Sequence, residues 1–161
     1  MSEADGFAGF ALEEAIRNEA ASRAIDLGDA SVEALARHAR AVLASNARLH
    51  LTSIVVPQEF VSRHIGEAFE GAALLPGEIE GAMLDLGSGN GYPGLPVALA
   101  RPGLSAILAE SKEKKAAFLR DVAAGAGFGE VEVLERHVER ASDVAELGTL
   151  AVLITRATGG W

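Results

Sequence analysis

The stretch most able to do chemistry is Met83-Leu84-Asp85-Leu86-Gly87-Ser88-Gly89-Asn90-Gly91-Tyr92-Pro93-Gly94, a glycine-rich loop between an apolar run and a helix-like segment. Glycines there permit backbone conformations closed to other residues and let a ligand approach the main chain. Asp85 stands two residues before the first glycine, at a strand end where a carboxylate should face whatever the loop holds. Glu110 ends the next apolar run, nineteen residues after Gly91. An acid so placed can accept hydrogen bonds from both hydroxyls of a ribose. The ordinary alternatives are a turn without a ligand and a solvated acid at Glu110, with Ser111 capping the helix that follows.

Charge separates the candidate ligands. Gly89, Gly91 and Gly94 spell a literal G-x-G-x-x-G, the fingerprint of nicotinamide dinucleotide sites. A dinucleotide presents an anionic pyrophosphate to the helix amino terminus, and Asp85 would sit badly beside it. S-adenosylmethionine carries a sulfonium and an ammonium, both attracted by a carboxylate. The methyl donor fits the loop better.

These residues need a scaffold. From residue 81 short apolar runs alternate with helical patterns: strands are expected at 82–86, 105–109, 131–134 and 150–155, and helices at 94–100, 113–124 and about 139–146. That alternation implies right-handed crossovers and a parallel sheet. The first eighty residues read as helical. Leu12 and Ile16 begin one amphipathic pattern that Gly28 closes, and Ser31 is the expected N-cap of a second through Val32, Leu35, Ala39 and Val42. Pro57 opens a third through Phe60, Ile65 and Phe69, ended by Leu75-Pro76-Gly77. The expected organisation is an amino-terminal helical region, 1–80, followed by an α/β core, 81–161.

Composition narrows the function classes. The chain has 161 residues, 49% apolar and 23% charged, which suits one globular domain. It has no cysteine, hence no disulfide, thiol nucleophile or thiolate metal site. The amino terminus lacks a basic stretch leading into an apolar one, so a cytoplasmic protein is expected. The longest uncharged run, Leu86 to Ala100, is too short to span a bilayer. Net charge is −9, yet residues 31–64 hold four arginines (Arg37, Arg40, Arg48, Arg63) against two acids. That segment alone offers phosphate contacts to a nucleic acid.

Leu84 to Pro96 resembles the first motif of the GidB (RsmG) family, in which Pro-Gly-hydrophobic-Pro follows the glycine loop. Further matches come in order: Leu51-Thr52-Ser53-Ile54, Arg63-His64-Ile65, Glu110-Ser111 with Lys115 to Arg120, Val138-Glu139, and Thr155-Arg156-Ala157. The resemblance implies a Rossmann-like class I methyltransferase that transfers a methyl group from S-adenosylmethionine to guanine N7 of small-subunit ribosomal RNA. It implies that Gly87 and Tyr92 line the methionine and ribose end, that Val138 and Glu139 meet the adenine, and that Arg156 closes the pocket. The cofactor-binding set is then Asp85, Gly87, Ser88, Gly89, Gly91, Tyr92, Glu110, Ser111, Val138, Glu139 and Arg156, with no metal and no assignable catalytic residue. His64 reads as a hydrogen-bonded helix histidine rather than a base. The chain departs from the family pattern at His50, Glu67, His137 and Ala151, and members of the family continue beyond the fourth strand. A shortened chain that binds the cofactor without transferring the methyl is therefore a second reading. By the same analogy the strands run three-two-one-four, and the bare edge of the fourth invites a homodimer.

Overall fold

The computed structural model describes residues 6–156; Ala157 of the last family match and Trp161 lie outside the described residues. Helices α1 (Leu12–Ala21) and α2 (Asp29–Leu49) come first. Then α3 (Pro57–Phe60) passes through a π-helical turn, Val61–Gly66, into α4 (Glu67–Leu74). Strands and helices alternate from there: β1 (Gly81–Leu86), α5 (Gly94–Ala100), β2 (Leu104–Glu110), α6 (Glu113–Ala126), β3 (Val131–Glu135), a 3-10 helix (Ala141–Leu147) and β4 (Leu150–Thr155).

The four strands form one parallel sheet in the order β3-β2-β1-β4, as expected. Side chains alternate across it with the period of two that a strand imposes. Met83, Ala106 and Val152 pack with Ala68, Ala72 and Val97 under α4 and α5. Leu84, Ile107 and Ala109 point the other way, onto Val144 and Leu147 of the 3-10 helix. One large cluster ties the helical region to the sheet. In it Leu12, Ile16, Leu35, Phe60 and Phe69 pack with Leu95, Leu108, Phe118 and Leu119.

Three details differ from the sequence reading. Helix α2 starts three residues early: Gly28, not Ser31, is its N-cap, because the Gly28 carbonyl already accepts the Ser31 and Val32 amides (3.0 and 3.1 Å). Asp29 then places a carboxylate in the first turn, where the helix dipole favours it. Helix α1 ends at Ala21, well before Gly28. The helix expected near 139–146 is a 3-10 helix in which Asp143 Oδ2 accepts the Glu139 and Arg140 amides, both at 2.9 Å.

Two arginines lock helix ends that apolar packing leaves loose. Arg23 bridges Glu19 of α1 (2.6 Å) and Glu70 of α4 (2.9 Å). Arg101, just past α5, donates to the carbonyls of Ala72 and Leu75 (2.9 and 2.7 Å) at the carboxy end of α4. The Ala72 carbonyl otherwise accepts only the Leu75 amide (3.2 Å) that closes the helix, and the last carbonyls of a helix lack the next turn's amides.

Candidate functional site

The carboxy ends of β1 and β2 lie side by side, Leu86 opposite Ala109, and the glycine loop folds back over them. Ser88 N donates to the Ala109 carbonyl (3.0 Å) and Ser88 Oγ to the Asp85 carbonyl (2.9 Å). Glu110 holds the loop from below: Oε2 accepts the Gly89 amide (2.9 Å) and Oε1 the Lys112 amide (2.8 Å). Asp85 Oδ2 accepts the Gly94 amide at the start of α5 (3.0 Å). Its Oδ1 is buried without a hydrogen-bond partner among the described residues. With only 1% of Asp85 exposed, burial pushes its carboxyl up to about 7 against the opposing Gly94 N–H.

In and just after the loop, Gly91 and Gly94 are required for space. A Cβ on Gly94 would stand 2.5 Å from Asp85 Oδ2 and 2.8 Å from Leu108 Cδ2. Gly91, at φ +89°, would put one 2.9 Å from Leu95 Cδ1 and 3.0 Å from His38 Nε2.

Behind the loop, Tyr92 is sandwiched between two histidines. His38 stacks on it at 4.3 Å and 17°, and His64 at 5.0 Å and 21°. His38 comes from α2 and is fully buried; its Nε2–H donates to the Asn90 carbonyl at 2.7 Å. Burial lowers the His38 pKa to about 4 although that carbonyl opposes the shift. His64 comes from the π-helical turn. Arg156 Nη1 approaches His64 Nδ1 at 3.3 Å, and an arginine only donates. The proton of neutral His64 therefore sits on Nε2 and is directed at Thr52 Oγ1 (2.8 Å). Burial, then the nearby Arg156, brings His64 to about 4 as well. Arg156 also donates to the Arg63 carbonyl (2.9 Å) and pairs with Glu67 (3.3 Å). The Tyr92 hydroxyl is buried without a partner among the described residues, and burial holds its pKa well above the usual phenol range.

Around this frame opens a cavity of about 630 Å³, within the range of small-molecule and cofactor sites. Gly87, Ser88, Gly89 and Asn90 form one wall, the 50–54 loop the other, and Tyr92, His64 and Arg156 the back. Asn46 shapes the second wall: its Oδ1 accepts the Leu51 and Thr52 amides (2.8 and 2.9 Å) and its Nδ2 donates to the Thr52 carbonyl (2.9 Å). Asn90 joins the walls by donating to the Leu51 carbonyl (3.1 Å).

Of the residues expected in a cofactor site, Gly87, Ser88, Gly89, Tyr92 and Arg156 line this cavity. Asp85, Gly91 and Glu110 lie immediately behind the lining and set the loop's shape. Ser111 is exposed beyond Glu110. Val138 packs with the Leu84 cluster on the other face of the sheet, and exposed Glu139 bonds His137 at 2.9 Å. Neither of the last two is a lining residue. Asn46, His38 and Asn90 were not singled out from sequence. For Asn46 the signal was its place near the end of a long amphipathic helix and for His38 its place on that helix's apolar face, while Asn90 stood inside the glycine loop. Periodicity alone cannot distinguish a polar residue that supports a site from a surface one. Among the described residues no cluster of acids and histidines could hold a metal ion, and no helix is long and apolar enough to cross a membrane.

Comparison with known proteins gives a consistent answer. Residues 31–160 match the model of the GidB family, described as rRNA small subunit methyltransferase G. The chain is 38% identical to the Ribosomal RNA small subunit methyltransferase G of Sorangium cellulosum, over 84% of this chain and 57% of that protein. It is 40% identical to the protein of the same name from Stenotrophomonas maltophilia, over 70% of the chain and 50% of that protein. For the Roseiflexus sp. protein the figures are 35% identity, 83% and 63%. The chain thus spans about half to three-fifths of the curated relatives it matches. The glycine loop on an open parallel sheet and a family match over most of its length agree: this chain belongs to the GidB family of small-subunit rRNA methyltransferases.

Proposed function

We propose that the cavity binds S-adenosylmethionine and that the chain carries the cofactor half of a methyl transfer to guanine N7 of small-subunit ribosomal RNA, in the cytoplasm. The observation that carries this reading is the Asp85 carboxylate on the first amide of α5. A dinucleotide would bring its pyrophosphate to that helix start, and an acid already occupies it. A cation is favoured there instead, and the unpartnered Oδ1 leaves capacity to attract one.

The residues present fit the cofactor. The open glycine wall admits a ligand against the main chain. Each Glu110 oxygen accepts one amide and keeps a lone pair for ribose hydroxyls. Gly87, Ser88, Gly89, Gly91 and Tyr92 would shape the methionine and ribose end, Ser111, Val138 and Glu139 the adenine side, and Arg156 the closure. Val138 and Glu139 would reach that role through main-chain groups, since their side chains lie outside the cavity. When bound, the cofactor supplies an electrophilic methyl on a sulfonium. Guanine N7 holds an unprotonated lone pair, so no base has to be supplied. Neutral His64, with both nitrogens engaged, suits a positioning part rather than proton transfer. Rate enhancement then comes from holding the nucleophile close and in line.

The second reading set out from the sequence, cofactor binding without methyl transfer, makes the same claim about the cavity. Titration calorimetry with S-adenosylmethionine and, separately, a nicotinamide dinucleotide tests the shared claim. Binding of the first only is expected, lost in Gly89→Val; dinucleotide preference overturns it. Incorporation of labelled methyl into isolated small ribosomal subunits separates transfer from binding alone.

A further inference from the structure

We infer that the groove between α2 and α6 is a single-nucleotide dock for RNA, seating a base that flanks the target beside the cofactor cavity. This rests on the RNA methyltransferase reading and adds the surface through which the substrate is held. The groove encloses about 330 Å³. Its floor is apolar, with Ala41 and Leu49 from α2 and Ala117 and Val122 from α6, and its rim carries Arg37, Arg48 and Lys114. A flat apolar ring with a phosphate on either side is the ligand whose chemistry matches that pattern. Asp121, also on the rim, repels phosphate but accepts from the amino edge of a base. An acidic peptide has anions without the flat apolar ring and gains nothing from Asp121.

Position supports the assignment. Leu49 lines the groove and the next residue, His50, lines the cofactor cavity, so the two openings meet at the carboxy end of α2. Lys115 donates to the His50 carbonyl across that junction (3.4 Å).

Charge does too. Of the four arginines expected to contact phosphate, Arg37 pairs with Glu33 (3.4 Å), Arg40 with Glu13 (2.8 Å) and Arg63 with Glu59 and Glu67 (both 3.5 Å). Arg48 is exposed and, like Lys114, enters no ion pair among the described residues. In a chain of net charge −9, two such cations on one groove are a local exception.

The test is fluorescence anisotropy with a labelled single-stranded RNA oligonucleotide, run over a salt series, on the full chain and on Arg48→Glu with Lys114→Glu. Affinity is expected to fall about ten-fold or more, and the salt slope to shrink by about 0.7 for each phosphate no longer neutralised. Cofactor affinity, measured on the same samples, is expected to stay unchanged. A control with equal charge change elsewhere, Arg17→Glu with Arg136→Glu, is expected to lose much less. Equal loss in the control, unchanged RNA affinity in the groove variant, no RNA binding at all, or equal competition by an oligoglutamate peptide would each overturn the groove. None of these touches the cofactor titration, on which the underlying reading stands or falls separately.

Discussion

Asp85 has its carboxyl raised to about 7 by burial, which has two consequences. An acid with a higher pKa folded than unfolded costs stability as pH rises from the unfolded value of 3.8 through the folded one. Asp85→Asn retains an oxygen for the Gly94 amide and escapes that cost. Its melting temperature should exceed that of the parent chain near pH 8 by an amount corresponding to about 1–4 kcal/mol, with the gap closing towards pH 4. Thermal melts across that range check it. The second consequence concerns the ligand. A cation near Asp85 favours the ionised form, so S-adenosylmethionine affinity should rise about three- to ten-fold between about pH 6 and about pH 8. In Asp85→Asn calorimetry should find the profile flat and the affinity lower. A pH-dependent profile persisting in that variant would place the titrating group elsewhere. His38 and His64 act in the opposite sense. Buried neutral at about 4, they contribute stability that is full above the unfolded value of 6.5 and lost as pH falls towards 4. Acid unfolding should therefore begin below about pH 6 and be shallower in His64→Gln.

At the scale of elements, the hinge of the site is the contact between β1, the loop and α5. Gly94 lets the start of α5 sit directly on Asp85, and a methyl there would meet an oxygen at 2.5 Å and a Leu108 methyl at 2.8 Å. Neither neighbour can retreat, because both are fully packed. Gly94→Ala should destabilise the chain by about 2–4 kcal/mol, combining overpacking with loss of the Asp85 hydrogen bond. Denaturant titration measures this, and Gly71→Ala serves as the control, since nothing lies within 4 Å of a Cβ there. The control, in mid-helix, should be neutral or slightly stabilising. The π-helical turn plays the matching part in the helical region. It places His64 against Tyr92 while Arg63 stays paired with Glu59 and Glu67.

For the whole molecule, the two sheet edges differ. Strand β3 carries Glu132 and Glu135 with Arg120 paired to the latter, charges that discourage another strand. Strand β4 carries none, and among the described residues it pairs with β1 alone. Leu153 is 58% exposed on it, whereas neighbouring Val152 packs inward with Met83. The 161-residue chain should therefore self-associate through β4, the homodimer expected from the strand order. Sedimentation across a wide concentration range should show mass rising with concentration, and Leu153→Lys should suppress the rise while leaving the core intact. Val152→Lys, by contrast, should unfold the chain by burying a charge. A soluble monomer at all concentrations would refute the edge pairing.

The amino-acid sequence alone determined the parallel sheet and the glycine loop, because these rest on local patterns: apolar runs of strand length, helical spacing between them, and glycines followed by proline. The strand order came only from the family resemblance, since no local pattern encodes which strands are neighbours. It also marked Gly87, Gly89, Tyr92 and Arg156 as cavity residues, since loop chemistry and a motif resemblance are both legible one residue at a time. Tertiary structure decided what depends on distant partners. Asp85 and Glu110 also support the loop, because amides of Gly94, Gly89 and Lys112 fold back onto them. Val138 and Glu139 fell outside the cavity because the segment after β3 packs on the opposite face of the sheet. His38, separated from Asn90 by 52 residues, entered the site only when α2 was laid across the loop. Which arginines stay available was settled in the same way. An ion pair such as Arg40 with Glu13 joins two helices whose mutual placement is set by the packed core, and no spacing within either helix encodes it.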